Sequence, residues 1–284
     1  MIPSEFEYHR AGSVNEAIKL LAEKGPDAKL LAGGHSLLPA MRLRFDSPAV
    51  IIDTGHIPEL SYVREQDGHI AIGAGTTHAE LAASSLIASR IPMISEAAAS
   101  IGDVQVRNKG TIGGSIAHAD PAADWPAALL AADAEIIIAS ESGTRKVMAS
   151  NFFHGLFYTD LAEAEMIVEI RVPIPAENTR STYLKFKQPA SRFAIVGCAA
   201  MVTQNNGTCS HVRVAFNGVS ATPFRALAVE QALEGRSADG ESIEEASGQA
   251  VANVEVMSDH FASEEYRSHL AKVFAKRALN AVTG

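Results

Sequence analysis

The pattern of apolar and polar positions predicts a chain of short strands and helices. Ser13 and Glu16 form a capping box, after which apolar residues recur at helical spacing as far as Gly25. Apolar runs at 29–32 and 49–53 then predict buried strands. The first fifty residues therefore predict strand–helix–strand units. The sequence LLAGGHS lies where the first of the two buried strands ends.

The middle of the chain continues this mixture. A second capping box, Thr77 to Glu80, opens an alanine-rich helix, and residues 110–126 are predicted to form a loop. Further strands are predicted at 60–63, 69–74, 135–139, 146–149 and 166–172. Further helices are predicted at 91–101 and 125–132.

A domain boundary is predicted where Pro173 and Pro175 precede a polar stretch. This division gives a domain of residues 1–176, with subdomains of about 1–55 and 56–176, and a C-terminal domain of residues 177–284. In the latter, strands at 183–187, 193–203 and 212–217 precede helices at 223–233, 242–254 and 264–281. Strands followed by helices predict an α+β fold class.

The composition of the chain disfavours several classes of function. The 284 residues are 47% hydrophobic and carry a net charge of −9 without a dense basic cluster, which disfavours nucleic acid as a partner. The acidic N-terminal sequence does not resemble a secretory leader, and no uncharged apolar run reaches the length of a membrane span. Two cysteines, Cys198 and Cys209, fit a reducing compartment and are too few for a four-thiolate iron–sulfur site. We expect a cytoplasmic protein.

Two glycine pairs interrupt apolar runs in the same way. Gly33-Gly34 is followed by Ser36, and Gly113-Gly114 is followed by Ser115. Glycine allows a close approach to the main chain, and successive backbone N–H groups form a nest for an anion. Two such loops facing each other can grip the two phosphates of a dinucleotide, with Ser36 and Ser115 as hydroxyl donors.

The two loops also allow interpretations other than a dinucleotide site. Each glycine pair is also compatible with a simple tight turn in a non-catalytic scaffold. Neither matches a Walker loop or a Rossmann fingerprint. Leu38 stands where a nucleophile elbow requires glycine, which disfavours a serine hydrolase. Histidines His35, His78 and His118 lack a metal-ligand spacing, so no metal site is predicted.

Two long motifs resemble a known family. The sequence AGGHSLLPAMRLR at 32–44 is similar to its signature, and so are VRNKGTIGGS at 106–115 and AHADPAADWPA at 117–127. The family is the FAD-binding medium subunit of molybdenum hydroxylases, which includes the medium chain of carbon monoxide dehydrogenase-type enzymes and the flavin domain of xanthine dehydrogenase. The resemblance covers essentially the whole chain and implies an FAD-binding fold of the vanillyl-alcohol-oxidase (PCMH) type, with two α/β subdomains and a C-terminal domain.

The resemblance also implies the residues that bind FAD. Residues 32–36 and 111–115 hold the pyrophosphate, Asp124 lies near the ribose and adenosine, Ile167 near the adenine, and Lys187 near the flavin. Phe193 stands where relatives often carry a tyrosine beside the isoalloxazine, which leaves open how access to the flavin is gated. The implied cofactor residues are Leu31, Ala32, Gly33, Gly34, His35, Ser36, Leu37, Thr111, Ile112, Gly113, Gly114, Ser115, Asp124, Ile167 and Lys187.

By resemblance the chain is an electron-transfer subunit without a catalytic residue of its own. A large partner subunit carries the molybdenum cofactor, a small one carries [2Fe–2S] clusters, and the three form a dimer of heterotrimers. FAD in this chain passes electrons to NAD, a quinone, a carrier or oxygen. A free-standing FAD oxidase and a non-catalytic scaffold remain alternatives, and neither the substrate nor the acceptor follows from the sequence.

Overall fold

A small parallel sheet opens the computed structural model, which describes residues 2–284. Its strands are β1 (Glu7–Arg10), β2 (Ala28–Leu31) and β3 (Val50–Asp53), in the order β1-β3-β2. Helix α1 (Val14–Lys24) begins at its capping residue Ser13 and ends at Gly25, as predicted. Helix α2 (Leu37–Leu43) follows LLAGGHS, so the first glycine pair lies where β2 leaves the sheet.

A five-stranded sheet, antiparallel throughout, forms the centre of the next part of the chain. Its strands are β4 (Val63–Gln66), β5 (His69–Gly73), β6 (Glu135–Ser140), β7 (Gly143–Met148) and β10 (Met166–Pro173), in the order β4-β5-β10-β6-β7. Between β5 and β6 lie helices α3 (His78–Ala83), α4 (Ser85–Arg90), α5 (Pro92–Ser100), α6 (Val104–Arg107), α7 (Ile112–His118) and α8 (Trp125–Ala131). The hairpin β8 (Phe153–Gly155) and β9 (Tyr158–Thr159) precedes β10.

The C-terminal part is a four-stranded antiparallel sheet with helices. Its strands, in sheet order, are β11 (Thr179–Lys187), β12 (Ala194–Asn205), β13 (Thr208–Asn217) and β14 (Phe224–Arg225). They are followed by α9 (Leu227–Leu233), α10 (Gly240–Ser247) and α11 (Glu264–Thr283), of which α11 packs along β11 and β12. The predicted meander and the α+β fold class are confirmed.

The two larger sheets share a core through the helices between them. Helix α5 packs on β11, and α8 packs on β12 and β13. Tyr183, Ala199 and Ala215 of the C-terminal sheet accordingly belong to the same buried cluster as Trp125 of α8. Helix α8 is buried over its whole length, which explains its lack of any polar face.

The segment 110–126 differs from the predicted loop because it contains helix α7. Thr111 caps the helix by accepting a hydrogen bond from the N–H of Gly114, and Ile112 and Ile116 are fully buried. Glycine disfavours a helix in isolation. Here the cap and the burial of two isoleucines outweigh that local preference.

Other boundaries also differ, as at β4, α9 and α10. Residues 58–60 form a 3-10 turn and β4 starts only at Val63, because Pro58 favours the turn. Helix α10 ends at Ser247, well before the predicted residue 254, and Asn253 then takes a left-handed backbone conformation (φ 61°). None of these differences alters the positions of the glycine pairs.

Within residues 2–284, no helix combines the length and the apolar character that a membrane crossing requires.

Candidate functional site

A cleft of about 900 Å³ lies between the small parallel sheet, the helices that follow β5, and the tip of the β11–β12 hairpin. This volume is near the upper end of the range typical of cofactor pockets. Both glycine pairs line it, together with Asp124, Ile167, and residues 191–193 at the hairpin tip. Of the residues implied by the resemblance, the cleft is lined by Leu31, Ala32, Gly33, Gly34, His35, Ser36, Leu37, Thr111, Gly113, Gly114, Ser115, Asp124 and Ile167.

The first glycine loop presents free backbone donors to the cleft. The N–H groups of residues 33–37 donate to no atom of residues 2–284. Gly34 has a φ of 75°, a left-handed conformation that glycine adopts without steric cost. Successive unpaired amides around such a residue form the concave donor arrangement that favours an anion. The loop therefore has the open donors that the predicted nest requires.

Gly33 has a second role, which is to let the two glycine segments touch. A Cβ on Gly33 would lie 2.0 Å from the carbonyl oxygen of Lys109 and 2.7 Å from the Cα of Gly110. No side chain fits there without moving backbone. Gly33 thus lies in direct contact with the main chain that leads into the second loop, and both loops line the same cleft.

The second loop differs from the first, because its amides are already bonded within the protein. The N–H of Ile112 donates to Thr76, that of Gly113 to Ala74 (2.8 Å), and that of Gly114 to the Thr111 hydroxyl (3.1 Å). Gly113 serves packing, since a Cβ there would lie 2.5 Å from the Cβ of Ala74. The expectation of two equivalent nests was wrong, because α7 begins here and uses these donors.

Hydroxyl groups remain available on both loops. The side chains of Ser36 and Ser115 line the cleft, and neither hydroxyl has a hydrogen-bond partner among residues 2–284. The second loop therefore contributes a side-chain donor where the first contributes mainly amides. Ile112 itself does not line the cleft and is fully buried at the start of α7.

Asp124 is held in a buried polar network at the start of α8. Lys185 donates to its Oδ2 at 2.8 Å, and the hydroxyl of Tyr183 donates to its Oδ1 at 2.5 Å. Lys185 also donates to the carbonyl of Ser100. Burial raises the pKa of the Asp124 carboxyl from its ordinary value, while Lys185 and Tyr183 oppose that shift. Both network partners come from β11, so the C-terminal sheet fixes a carboxylate that lines the cleft.

Asn217 completes this network on its far side. Its amide lies 3.1 Å from the Tyr183 hydroxyl, whose one hydrogen already belongs to Asp124. The amide orientation that donates from Nδ2 to the Tyr183 oxygen agrees with that hydroxyl giving its hydrogen to Asp124. Gly197 leaves room for them, since a Cβ there would lie 2.3 Å from each.

Lys187, which the resemblance places near the flavin, lies outside the cleft lining and is exposed. A β-bulge between Phe186 and Lys187 breaks the alternation of β11 at this point. The inward lysine of the strand is Lys185, whose side chain is 4% exposed. Sequence reasoning missed Lys185 and Tyr183, although their two-residue spacing on a predicted strand indicates a common face.

His78 and Phe193 also line the cleft. His78 follows the capping residue Thr77 of α3 and is buried, and burial is the main reason that its pKa falls to about 4. Phe193 is half-exposed at the hairpin tip. His35 is exposed at the edge of the cleft.

The donors in this cleft fit FAD. The open amides of residues 33–37 and two free serine hydroxyls suit a pyrophosphate. Each carboxylate oxygen of Asp124 retains a lone pair for a further donor, such as a ribose hydroxyl. The apolar lining at Ile167 suits an aromatic ring.

Comparison with known proteins agrees with this geometry. Residues 4–175 match the model of the FAD binding domain in molybdopterin dehydrogenase, and residues 181–282 match that of the CO dehydrogenase flavoprotein C-terminal domain. The carbon monoxide dehydrogenase medium chain of Hydrogenophaga pseudoflava is 43% identical over 99% of this chain and 98% of its own length. The glyceraldehyde dehydrogenase medium chain of Sulfolobus acidocaldarius is 36% identical over 99% of this chain and 100% of its own.

A solved structure of carbon monoxide dehydrogenase from Hydrogenophaga pseudoflava superposes with a TM-score of 0.96 at 45% identity, covering 99% of this chain and 98% of that one. The chain therefore belongs to the family of FAD-binding medium subunits of the molybdenum hydroxylases.

Proposed function

We propose that this chain is the electron-transfer subunit of a molybdenum hydroxylase. In this proposal a large subunit with the molybdenum cofactor oxidises the substrate, and a small subunit with [2Fe–2S] clusters delivers the electrons. The chain passes them to an external acceptor. Membership of the family supports the proposal, and so do the relatives, which are named as medium chains or subunits of dehydrogenases.

The observation that carries the proposal is the set of open amides in the first glycine loop beside a large cleft. These donors serve to bind and orient an anionic cofactor, and Ser36 and Ser115 add two hydroxyl donors. Bound FAD supplies the redox chemistry, which is the exchange of electrons with a donor and an acceptor. The protein's own task is positioning, for which Asp124 is held rigidly by Lys185 and Tyr183.

Exposure at the hairpin tip supports exchange with an external partner. Ser191, Arg192 and Phe193 border the cleft and are exposed, while Arg192 holds the tip to the body by donating to the carbonyl of Gly102 at 3.1 Å. Phe193 supplies an aromatic ring without a hydroxyl group. We propose that this tip governs access of the acceptor to the flavin.

FAD content and turnover of the purified full-length chain test the proposal. We expect one FAD per chain, released on denaturation and measured by its absorbance. We expect rapid reduction of the bound flavin by dithionite but no turnover with carbon monoxide, an aldehyde, a purine or an N-heterocycle. Turnover of the isolated chain with such a donor would favour a free-standing oxidase, and a chain without FAD would favour a scaffold.

Purification of the tagged chain from its native host tests the partners. We expect two co-purifying subunits, with molybdenum and iron detected by mass spectrometry and a mass that fits a dimer of heterotrimers. A chain recovered alone, with FAD but neither metal, would contradict the assembly and leave the flavin site standing. We also propose a cytoplasmic location, which the two unpaired and buried cysteines support.

In this proposal the residues that select the substrate belong to the large subunit, so this chain does not identify the substrate. The relatives' names include carbon monoxide, glyceraldehyde, caffeine and nicotine. Each of these relatives nevertheless aligns with this chain over nearly its full length, so the alignment does not indicate one substrate. The sequence of the co-purifying large subunit is the observation that identifies the substrate class.

A further inference from the structure

His78 is a buried polar side chain in the cleft that neither glycine motif includes. It is 4% exposed, and its Nε2 donates to no atom of residues 2–284. A polar group that is buried without a protein partner costs free energy unless a ligand or water satisfies it. The Nε2 atom of His78 is not fully buried, because the residue lines the cleft, so water or a bound ligand there can be its partner.

The tautomer of His78 is fixed by Trp125. The indole Nε1 of Trp125 donates to Nδ1 of His78 at 3.2 Å. Because an indole N–H can only donate, Nδ1 must accept, and the single hydrogen of the neutral ring lies on Nε2. Trp125 is itself fully buried at the start of α8, next to Asp124, so this arrangement is rigid.

The same contacts keep the ring uncharged. Burial and the neighbouring His35 and Arg107 lower the pKa of His78 to about 4. Protonation would also place a hydrogen on Nδ1 against the N–H of Trp125. At neutral pH the ring is consequently a neutral donor with one available N–H.

The main chain places this donor at the contact between the two glycine segments. The N–H of His78 donates to the carbonyl of Gly110 at 3.0 Å, and Thr77 pairs with Thr111. A Cβ on Gly110 would lie only 2.7 Å from Nε2 of His78. Gly110 in turn touches Gly33, so His78 adjoins the nest of open amides.

We propose that Nε2–H of His78 donates a hydrogen bond to an oxygen of the FAD pyrophosphate and thereby positions the cofactor between the two loops. This role rests on the proposed function, in which the chain holds FAD. It adds a donor that the glycine motifs do not contain. It also gives a role to the pairing of Thr77 with Thr111, which holds the start of α3 beside the start of α7.

Binding of FAD and of ADP to the full-length chain tests the proposal, because ADP carries the two phosphates without the flavin. We expect His78→Leu to weaken both ligands at least about tenfold, as the loss of a bond to a charged group does. His78→Gln, which retains an N–H at a similar position, should recover most of that affinity. His69→Gln, a change on β5 away from the cleft lining, is the matched control.

The outcomes separate this proposal from the proposed function. Wild-type binding of FAD with no loss in His78→Leu overturns the donor role, and a loss with FAD but not ADP overturns the pyrophosphate assignment. If the wild type binds neither ligand, both the cofactor site and the donor role fail.

NMR of the wild-type chain gives a test that needs no variant. With ¹⁵N-labelled histidine we expect His78 to carry its proton on Nε2 from pH 5.5 to 8, and we expect that proton to shift on addition of ADP. A protonated Nδ1 or a His78 signal insensitive to ADP would overturn the proposal.

Discussion

Asp124 and Lys185 form an ion pair whose side chains are 5% and 4% exposed, respectively. Such a pair contributes little net stability compared with an apolar replacement, but leaving one member alone is costly, because a charge then stays buried without its partner. Tyr183 cannot substitute for Lys185, since its hydroxyl is neutral and its pKa is raised well above the ordinary value by burial beside Asp124. At the scale of residues, the network is therefore sensitive to the loss of either partner.

Lys185→Met should lower the free energy of unfolding by about 3 kcal/mol, because the Asp124 carboxylate remains buried and uncompensated. The double variant Asp124→Asn/Lys185→Met should lose clearly less than the sum of the two single changes. Urea denaturation followed by circular dichroism measures this cycle. As a control, Lys276→Met removes an exposed pair with Glu244 and should cost under about 0.5 kcal/mol. Additive losses at Asp124 and Lys185 would show that the two residues are not coupled.

His78 should make stability depend on pH. Its pKa is lowered from 6.5 to about 4 in the folded chain, so the unfolded chain binds the proton first as the pH falls. Stability contributed by this residue is complete above about pH 6.5 and decreases towards pH 4. Between pH 7.5 and pH 5 the loss should be about 2 kcal/mol. His118, whose pKa burial also lowers, acts in the same direction.

Urea denaturation of the wild type and of His78→Gln at these two pH values measures the effect. The variant should lose less stability on acidification than the wild type, whatever its stability at pH 7.5. An equal loss in both proteins would show that His78 titrates normally.

At the scale of elements, the two glycine segments act as a pair with different duties. The loop between β2 and α2 provides open amides, whereas the start of α7 uses its amides internally and packs on Ala74. Contact between Gly33 and Gly110 brings the small parallel sheet against the helices that follow β5. The absence of a side chain at Gly33 thus sets the distance between the two loops.

Gly33→Ala should lower both stability, by about 1–3 kcal/mol, and FAD affinity, because the new Cβ must push the main chain at Lys109 away. Gly114→Ala should weaken FAD and cost about 1 kcal/mol of stability, since its Cβ would lie 2.9 Å from the Thr111 hydroxyl that caps α7. Thermal unfolding and FAD titration separate the two effects. Gly240→Ala has open space around it and is the matched control. An unchanged Gly33→Ala protein would contradict the loop contact.

At the scale of the whole molecule, the FAD-binding part and the C-terminal sheet depend on each other. Asp133, in the turn before β6, accepts hydrogen bonds from Arg213 and Arg225 of the C-terminal sheet. Tyr183 and Lys185 reach across to Asp124 in the same way. Residues of both parts also share one apolar core around Trp125.

A fragment of residues 1–176 should therefore fail to bind FAD with the affinity of the full-length chain. It would expose the buried faces of α5 and α8 and leave Asp124 without its partners. Gel filtration and FAD titration of the fragment, compared with the full-length chain, measure this. Full affinity in a soluble fragment would show that the C-terminal sheet is not needed for the site.

The sequence by itself determined most of the elements, the fold class, the two motifs and hence the family, because capping boxes, apolar periodicity and glycine pairs act over short stretches of chain. It also predicted open backbone donors at the first loop, because adjacent glycines act over a few residues. Only the tertiary structure decided that the amides of Ile112 and Gly113 in the second loop are already bonded, because their acceptors, Thr76 and Ala74, lie far from the loop in sequence. The tertiary structure also decided that Lys185, and not Lys187, points inward, because a bulge in β11 breaks the alternation of the strand. It likewise decided that the free N–H of His78 is on Nε2, because Trp125 donates to Nδ1. Local patterns specify what a segment can do, and contacts between distant segments decide which of its groups remain free to do it.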